Sequence, residues 1–322
     1  MMPSAQGSSS KIDNSDHAID LSVDIGSLTL KNPVMVASGT FGSGKEFSSF
    51  VDLEALGAVV TKGVSAVPWT GNKGVRVLET ASGMLNSIGL QNPGVEAFCR
   101  GDLVWLASHA PHATVIANVS GHTIPEYVEV IERLEEEPTI AAYEINISCP
   151  NVDKGGLAFG VNADQSQAIT EACRKATKRP LIMKLTPNVT DIAGIATACE
   201  DAGADAISLI NTLLATAIDT RTRTFAFERK VAGLSGPAIK PVALRMVYSV
   251  AQSIKIPLIG MGGILTATDA IEFMLAGASA VAIGTGNFID PYATIHCIAG
   301  IEEYVREQGF DRARAIIGKL EG

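Results

Sequence analysis

An α/β fold, a closed (β/α)8 TIM barrel with an N-terminal β-hairpin across its bottom, is predicted by three observations on this 322-residue chain. From residue 34 onward, short apolar runs rich in β-branched residues alternate with helix-length amphipathic segments, a pattern that implies parallel strands joined by crossover helices. Eight such runs over this length imply closure into a barrel; an open doubly wound sheet is the alternative. Polar residues gather where the runs end, on the side where barrel active sites are built.

The strands are expected at residues 34–37, 59–62, 115–119, 143–147, 181–185, 206–210, 257–260 and 280–283. Helices are expected at 125–137, 191–202, 238–253 and 268–276, each with Pro, Asp or Thr near its start or Gly beyond its end. Residues 19–30, with Ile25-Gly26-Ser27 between two apolar stretches, read as the hairpin. Two long polar stretches, 65–92 and 212–237, follow the second and sixth strands. Residues 1 to about 18 carry no basic-then-apolar signal pattern and read as a disordered leader before a single domain over 19–322.

Hydrophobic residues make up 47% of the chain and there are 31 glycines, enough for a large core with many tight strand-to-helix turns. A net charge of −9 without runs of lysine or arginine argues against nucleic acid or an anionic membrane surface as partner. Five cysteines, scattered at 99, 149, 173, 199 and 297, fit neither a disulfide framework nor a metal cluster, and point to a reducing, cytoplasmic compartment. The five histidines show no metal spacing, and no stretch approaches the ~18 apolar residues of a membrane helix.

The most informative residues are Asn146-Ile147-Ser148-Cys149-Pro150-Asn151. Strand alternation points Ile145 and Ile147 one way and Glu144, Asn146 and Ser148 the other, toward a barrel interior. Pro150 biases Cys149 to an extended conformation, which puts the thiol on a loop leaving the strand. Alone it would read as a small buried hydrophobe; the flanking carboxamides make it a candidate for chemistry. Lys62, Asn118, Lys184 and Asn211 end other strands. A lysine facing a dry core would cost several kcal/mol if unpaired, so Lys184 either pairs with a buried carboxylate such as Glu144 or faces a binding site. Glycine turns follow the last two strands, at Gly260-Met261-Gly262-Gly263 and Gly284-Thr285-Gly286, and backbone amides there suit a phosphate. Gly233-Leu234-Ser235-Gly236 is positioned to complete that cradle.

Together with Met84-Leu85-Asn86-Ser87-Ile88-Gly89-Leu90-Gln91-Asn92-Pro93-Gly94 and Gly233-Leu234-Ser235-Gly236-Pro237-Ala238-Ile239-Lys240-Pro241, these motifs resemble dihydroorotate dehydrogenase over roughly residues 20 to 300. Cysteine at 149 is similar to class 1, and Leu-Gln-Asn-Pro-Gly with Gly-Pro-Ala-Ile-Lys-Pro to its B type, which is NAD-linked. The resemblance implies FMN-dependent oxidation of (S)-dihydroorotate to orotate in pyrimidine biosynthesis, with Cys149 as base under a lid formed by 152–160. It implies substrate contacts from Lys62, Asn86, Ser87, Ile88, Gly89, Leu90, Asn146, Asn151, Asn211 and Thr212. For FMN it implies Ala37, Ser38, Lys62, Asn118, Asn146, Lys184, Ile210, Ser235, Gly236, Gly262, Gly263, Gly284 and Thr285. Type B enzymes also imply a partner subunit carrying FAD and an iron-sulfur cluster, two of each chain forming a heterotetramer.

This chain departs from the family pattern in two places. Val67-Pro68-Trp69 and Gly71-Asn72-Lys73 replace a Glu-Pro-Arg stretch and a Gly-Asn-Pro, and Ala232 stands where a further glycine is usual, so that turn is expected to differ. A dihydropyrimidine dehydrogenase-like flavoprotein and a phosphate-binding barrel lyase or isomerase using Lys62 or Lys184 are the competing functions.

Overall fold

The computed structural model describes residues 18–148, 150–151 and 157–321, with the backbone alone at 150, 151, 157 and 158. Apart from Ala18 the expected leader lies outside the described residues, as do Cys149 and most of the expected lid.

Eight parallel strands close into a barrel in chain order: β1 (Val34–Val36), β2 (Ala58–Val60), β3 (Val115–Val119), β4 (Ile140–Asn146), β5 (Leu181–Lys184), β6 (Ala206–Leu209), β7 (Leu258–Met261) and β8 (Ala280–Ile283). All eight expected strands are present, and the open sheet is excluded. Because the strands are covered on both faces, they carry continuous apolar runs rather than strict alternation. The outward residues, among them Ile145, Met183, Ile207 and Val281, pack under the surrounding helices.

Inside the barrel the chemistry changes with height. At the bottom Met35, Ala58, Ile116, Ala142, Ile182, Ala206 and Ala280 form an apolar plug. The hairpin of Val23–Ile25 and Leu28–Leu30 closes this end, adding Val23, Ile25 and Leu30, all fully buried. Each contributes roughly 1.5–3 kcal/mol by leaving water. Higher up the inward positions become polar, with Asn118, Glu144, Lys184 and Ser208 all buried.

The four expected helices form at Ile124–Leu134, Ile192–Asp201, Lys240–Ala251 and Ala267–Leu275. Three of them start on capping side chains: Thr123, Asp191 and Thr266 accept from backbone amides of the first turn, and Asp269 completes a capping box with Thr266, while the Lys240 helix has Pro241 in its first turn instead. The simple alternation fails between β1 and β2, where turns and the 3-10 segment Leu53–Ala55 replace a helix and Phe41 stacks on Phe47 with ring centroids 4.4 Å apart.

The two polar stretches meet above the barrel. Strands Leu213–Ala215, Ala232–Ser235, Gly83–Asn86 and Val77–Thr80 form one antiparallel sheet in that order, with Gly233 opposite Asn86. Ala232 is extended and paired with Ala215, so no left-handed conformation is needed there; Lys230 takes the positive φ of 62° instead.

Candidate active site

The mouth is built around one buried carboxylate. In β4, Glu144 lies two residues below Asn146 on the inward face, and its neighbours on β3 and β5 are Asn118 and Ile182. Its carboxylate accepts from Asn118 Nδ2 at 2.6 Å and from Lys184 Nζ at 3.3 Å on Oε2, and from Ser208 Oγ at 2.9 Å on Oε1. Lys184 also donates to Ser38 Oγ at 3.3 Å, across the barrel from the end of β1. The expected pairing of Lys184 with Glu144 is present, and the lysine stands among the strand-end residues. Ser208 carries no mark in its own strand beyond standing two residues after inward Ala206, which puts its hydroxyl on the interior face.

A second cluster lies at the end of β4. Asn211 Nδ2 donates to Asn146 Oδ1 at 3.3 Å and to Ser148 Oγ at 3.0 Å, while Tyr127 Oη donates to the Asn146 carbonyl at 2.7 Å. Thr212 is held by its backbone amide on Asn211 Oδ1, and a Cβ on Gly233 would lie 2.3 Å from Thr212 Oγ1. Ile210 is buried beside them, its amide bonded to the Met261 carbonyl. Asn86 joins this group from above by donating to the Gly233 carbonyl at 3.3 Å. Pro150–Asn151 pairs with Leu157–Ala158, which brings the backbone of Asn151 back across the loop after β4. Cys149 itself lies outside the described residues.

The loop that departs from the family pattern braces the long motif. Asn72 Nδ2 donates to both Ser87 Oγ and the Ser87 carbonyl, and Trp69 and Asn92 exchange backbone hydrogen bonds at 3.1 Å. Asn92 Oδ1 in turn accepts from Ser65 and the Gly94 amide, which fixes the chain on either side of Ile88-Gly89-Leu90. Trp69 stacks on His122 at 4.0 Å, beyond the end of β3. Neither Asn72 nor Trp69 was marked by residue type; their role depends on a long-range pairing.

The glycine turns converge as expected. Gly263 has φ +81°, and a Cβ there would lie 2.9 Å from the Gly236 carbonyl; one on Gly236 would meet Thr285 Cγ2 at 3.4 Å, and one on Gly284 would meet Ala37 Cβ at 3.5 Å. Thr285 donates to Ser235 Oγ at 2.8 Å. Residues from β1, β7, β8 and the overlying sheet thus converge at the C-terminal face, where backbone and hydroxyl groups come close together. That arrangement fits a phosphorylated cofactor, because amides can approach closely only where no Cβ intervenes.

Two kinds of titrating group stand out. Burial pushes the Lys62 ammonium below the usual lysine range, with Glu46 opposing the effect and Arg76 adding to it. Burial also raises the thiols of Cys173, Cys199 and Cys297 to about 12 and that of Cys99 to about 11. These four are structural cysteines in the apolar layer outside the barrel.

Fold and site together define a (β/α)8 barrel with polar strand ends and convergent glycine turns at its C-terminal face. The dihydroorotate dehydrogenase profile matches residues 20–305, and the chain belongs to that family. It is 54% identical over 301 residues to dihydroorotate dehydrogenase B (NAD(+)), catalytic subunit, of Alkaliphilus oremlandii, covering 94% of this chain and 99% of that one. The same-named protein of Geobacter sulfurreducens is 53% identical over 302 residues, covering 94% and 98%. That of Geotalea uraniireducens is 52% identical over 301, covering 94% and 98%. The expectation of a dihydroorotate-oxidising, flavin-dependent enzyme stands, and the lyase or isomerase alternative falls. In those relatives the words "catalytic subunit" imply a further subunit. No helix among the described residues is long and apolar enough to cross a membrane.

Proposed function

We propose that the chain oxidises (S)-dihydroorotate to orotate with FMN held in the barrel mouth, and that a partner subunit carrying FAD and an iron-sulfur cluster passes the electrons to NAD in the cytoplasm. Two copies of each chain would make the working assembly. The observation that carries this reading is the meeting at the mouth of Lys184 and Asn118, linked through Glu144, with Ser38 and the glycine turns beside it. A flat heterocycle with a phosphate tail needs both the polar strand ends and the glycine turns.

FMN, when bound, supplies the hydride acceptor. Gly236, Gly262, Gly263, Gly284 and Thr285, with Ser235, would hold its phosphate and ribityl chain, and Ala37, Ser38, Asn118, Lys184 and Ile210 would lie around its ring. A fixed positive charge at Lys184 favours the reduced, more electron-rich form. Cys149 takes the proton from the substrate carbon next to the one that loses hydride, as a general base on the loop after β4. Asn86, Asn146, Asn151 and Asn211, with Thr212, pair with the pyrimidine's amide-like edges, since each carboxamide can both donate and accept. Lys62 provides a cation for the substrate carboxylate, and Ser87-Ile88-Gly89-Leu90 closes over the ring.

The test is direct. Purified chain should be yellow, release FMN on denaturation, and reduce a dye with dihydroorotate but not with dihydrouracil. Colourless protein, or a preference for dihydrouracil, refutes the proposal. Copurification from the native host should bring down an iron-sulfur flavoprotein, and NAD reduction should depend on it.

A further inference from the structure

Glu144 is an anion placed where the proposed chemistry calls for a cation. It is almost fully buried, and three donors from three other strands converge on it. Placing a carboxylate inside a barrel costs several kcal/mol even after relaxation, and a glutamine of similar shape could accept from the same hydroxyl. Support for the fold does not by itself require the charge, because the plug below it is already apolar.

Two consequences follow from its contacts. A carboxylate accepts only, so Glu144 fixes the Asn118 carboxamide with Nδ2 turned inward and Oδ1 turned outward, where it lies 2.9 Å from the position a Cβ on Gly63 would take. Likewise Lys184 Nζ is held between Glu144 Oε2 and Ser38 Oγ, so among the described residues two of its three donors are committed. The ammonium is thereby aimed and its charge is opposed by a carboxylate 3.3 Å away. In a low-dielectric interior such an opposing charge sharply reduces the field that Lys184 exerts on anything bound above it.

We infer that Glu144 is a positioning residue and counter-charge for Lys184, setting how strongly the barrel mouth favours the reduced over the oxidised form of its flavin. This inference rests on the FMN reading above. Pairing lets the lysine be present as an aimed donor without over-stabilising the reduced cofactor, which would then give up its electrons poorly.

The experiment is a spectroelectrochemical titration of the FMN-loaded protein, with binding of oxidised and reduced FMN to the stripped protein measured alongside. Glu144→Gln should shift the ratio of reduced to oxidised affinity by about tenfold toward reduced, read as a rise of about 30 mV for a two-electron couple. Glu144→Asp, which keeps the charge but withdraws it from Nζ, should give a smaller rise and serves if the Gln variant does not fold. Ser208→Ala removes a contact without changing charge and should leave the potential where it was. An unchanged or lowered potential in Glu144→Gln, or an equal shift in Ser208→Ala, overturns the inference while wild-type FMN binding leaves the functional reading intact. Wild-type protein that binds no FMN overturns both.

Discussion

Asn72 holds Ser87 twice with one amide, donating to its Oγ at 3.0 Å and to its carbonyl at 3.2 Å. The first residue lies in the stretch that departs from the family pattern, the second in the motif proposed to close over the substrate. Arg76 reinforces the pair by donating to the Asn72 carbonyl and to the Gln91 side chain.

Loss of this brace should loosen the closing segment without touching the redox chemistry. Each net hydrogen bond is worth about 0.5–1.5 kcal/mol, so Asn72→Ala is expected to raise KM for dihydroorotate about 5- to 10-fold. With saturating substrate, kcat should stay within about twofold of wild type, because the lost interaction is one of binding. Steady-state kinetics decide the matter, and an unchanged KM would mean that the loop braces nothing the substrate meets.

The two glycine turns should respond differently to the same substitution. Gly263 sits at φ +81°, where a Cβ would approach Lys240 Cβ to 2.7 Å and the Gly236 carbonyl to 2.9 Å. Gly263→Ala combines left-handed strain with overlap and is expected to cost ~2–4 kcal/mol of stability as well as FMN. At Gly284 the nearest atom to a new Cβ is Ala37 Cβ at 3.5 Å, ordinary contact. Gly284→Ala should therefore fold with a near-normal melting temperature and still bind FMN more weakly, by intruding on the cradle alone. Equal thermal stability of the two variants would contradict this account.

How legible all this was in the sequence depends on the range of the interaction. The eight strands and the hairpin were readable because burial imposes its pattern locally, on runs such as Leu181-Ile182-Met183-Lys184. Strand-end polarity likewise marked Asn118, Asn146, Lys184 and Asn211. The overlying sheet was not readable, because Gly233 and Asn86 are 147 residues apart and neither stretch alternates strongly enough to announce a partner. The same holds for Trp69 against His122 and for Ser208 against Glu144, whose meaning lies in another strand. At Ala232 residue type indicated only that a positive φ is disfavoured; the pairing with Ala215 that makes the residue extended depends on a strand 17 residues away.

Thiol chemistry offers a sharp discrimination among the five cysteines. Four are buried with thiols raised to between about 11 and about 12, so they should resist a thiol reagent in the folded protein. One thiol per chain is expected to react quickly at pH 8 and five after denaturation, with Cys149→Ser abolishing the fast one. That variant should retain FMN and bind orotate while losing most turnover. The same raised values bear on stability. Above the ordinary thiol value near 9 the unfolded chain releases protons that the folded chain keeps, so stability is full below that pH and falls as pH climbs beyond it. Denaturant midpoints at pH 8 and 10.5 should show this decline; a flat profile would argue against four protected thiols.

Lys62 should impose a pH limit on substrate binding. Burial lowers its pKa from the ordinary 10.5, so its charge is lost at a lower pH than that of a surface lysine. For folding, the unfolded chain binds the proton more tightly, so the penalty of holding Lys62 charged is present at low pH and fades as pH rises through the folded value. For binding, the consequence is opposite in sign. A substrate carboxylate needs the ammonium, so KM should climb on the alkaline side as the charge disappears. Glu46 supports that charge, and Glu46→Gln should move the rise in KM to lower pH. Lys62→Arg keeps a cation throughout and should remove the alkaline limb, even if its different shape raises KM at neutral pH. KM measured from pH 6 to 10 on the three proteins separates these outcomes, and coincident profiles would take Lys62 out of the substrate site.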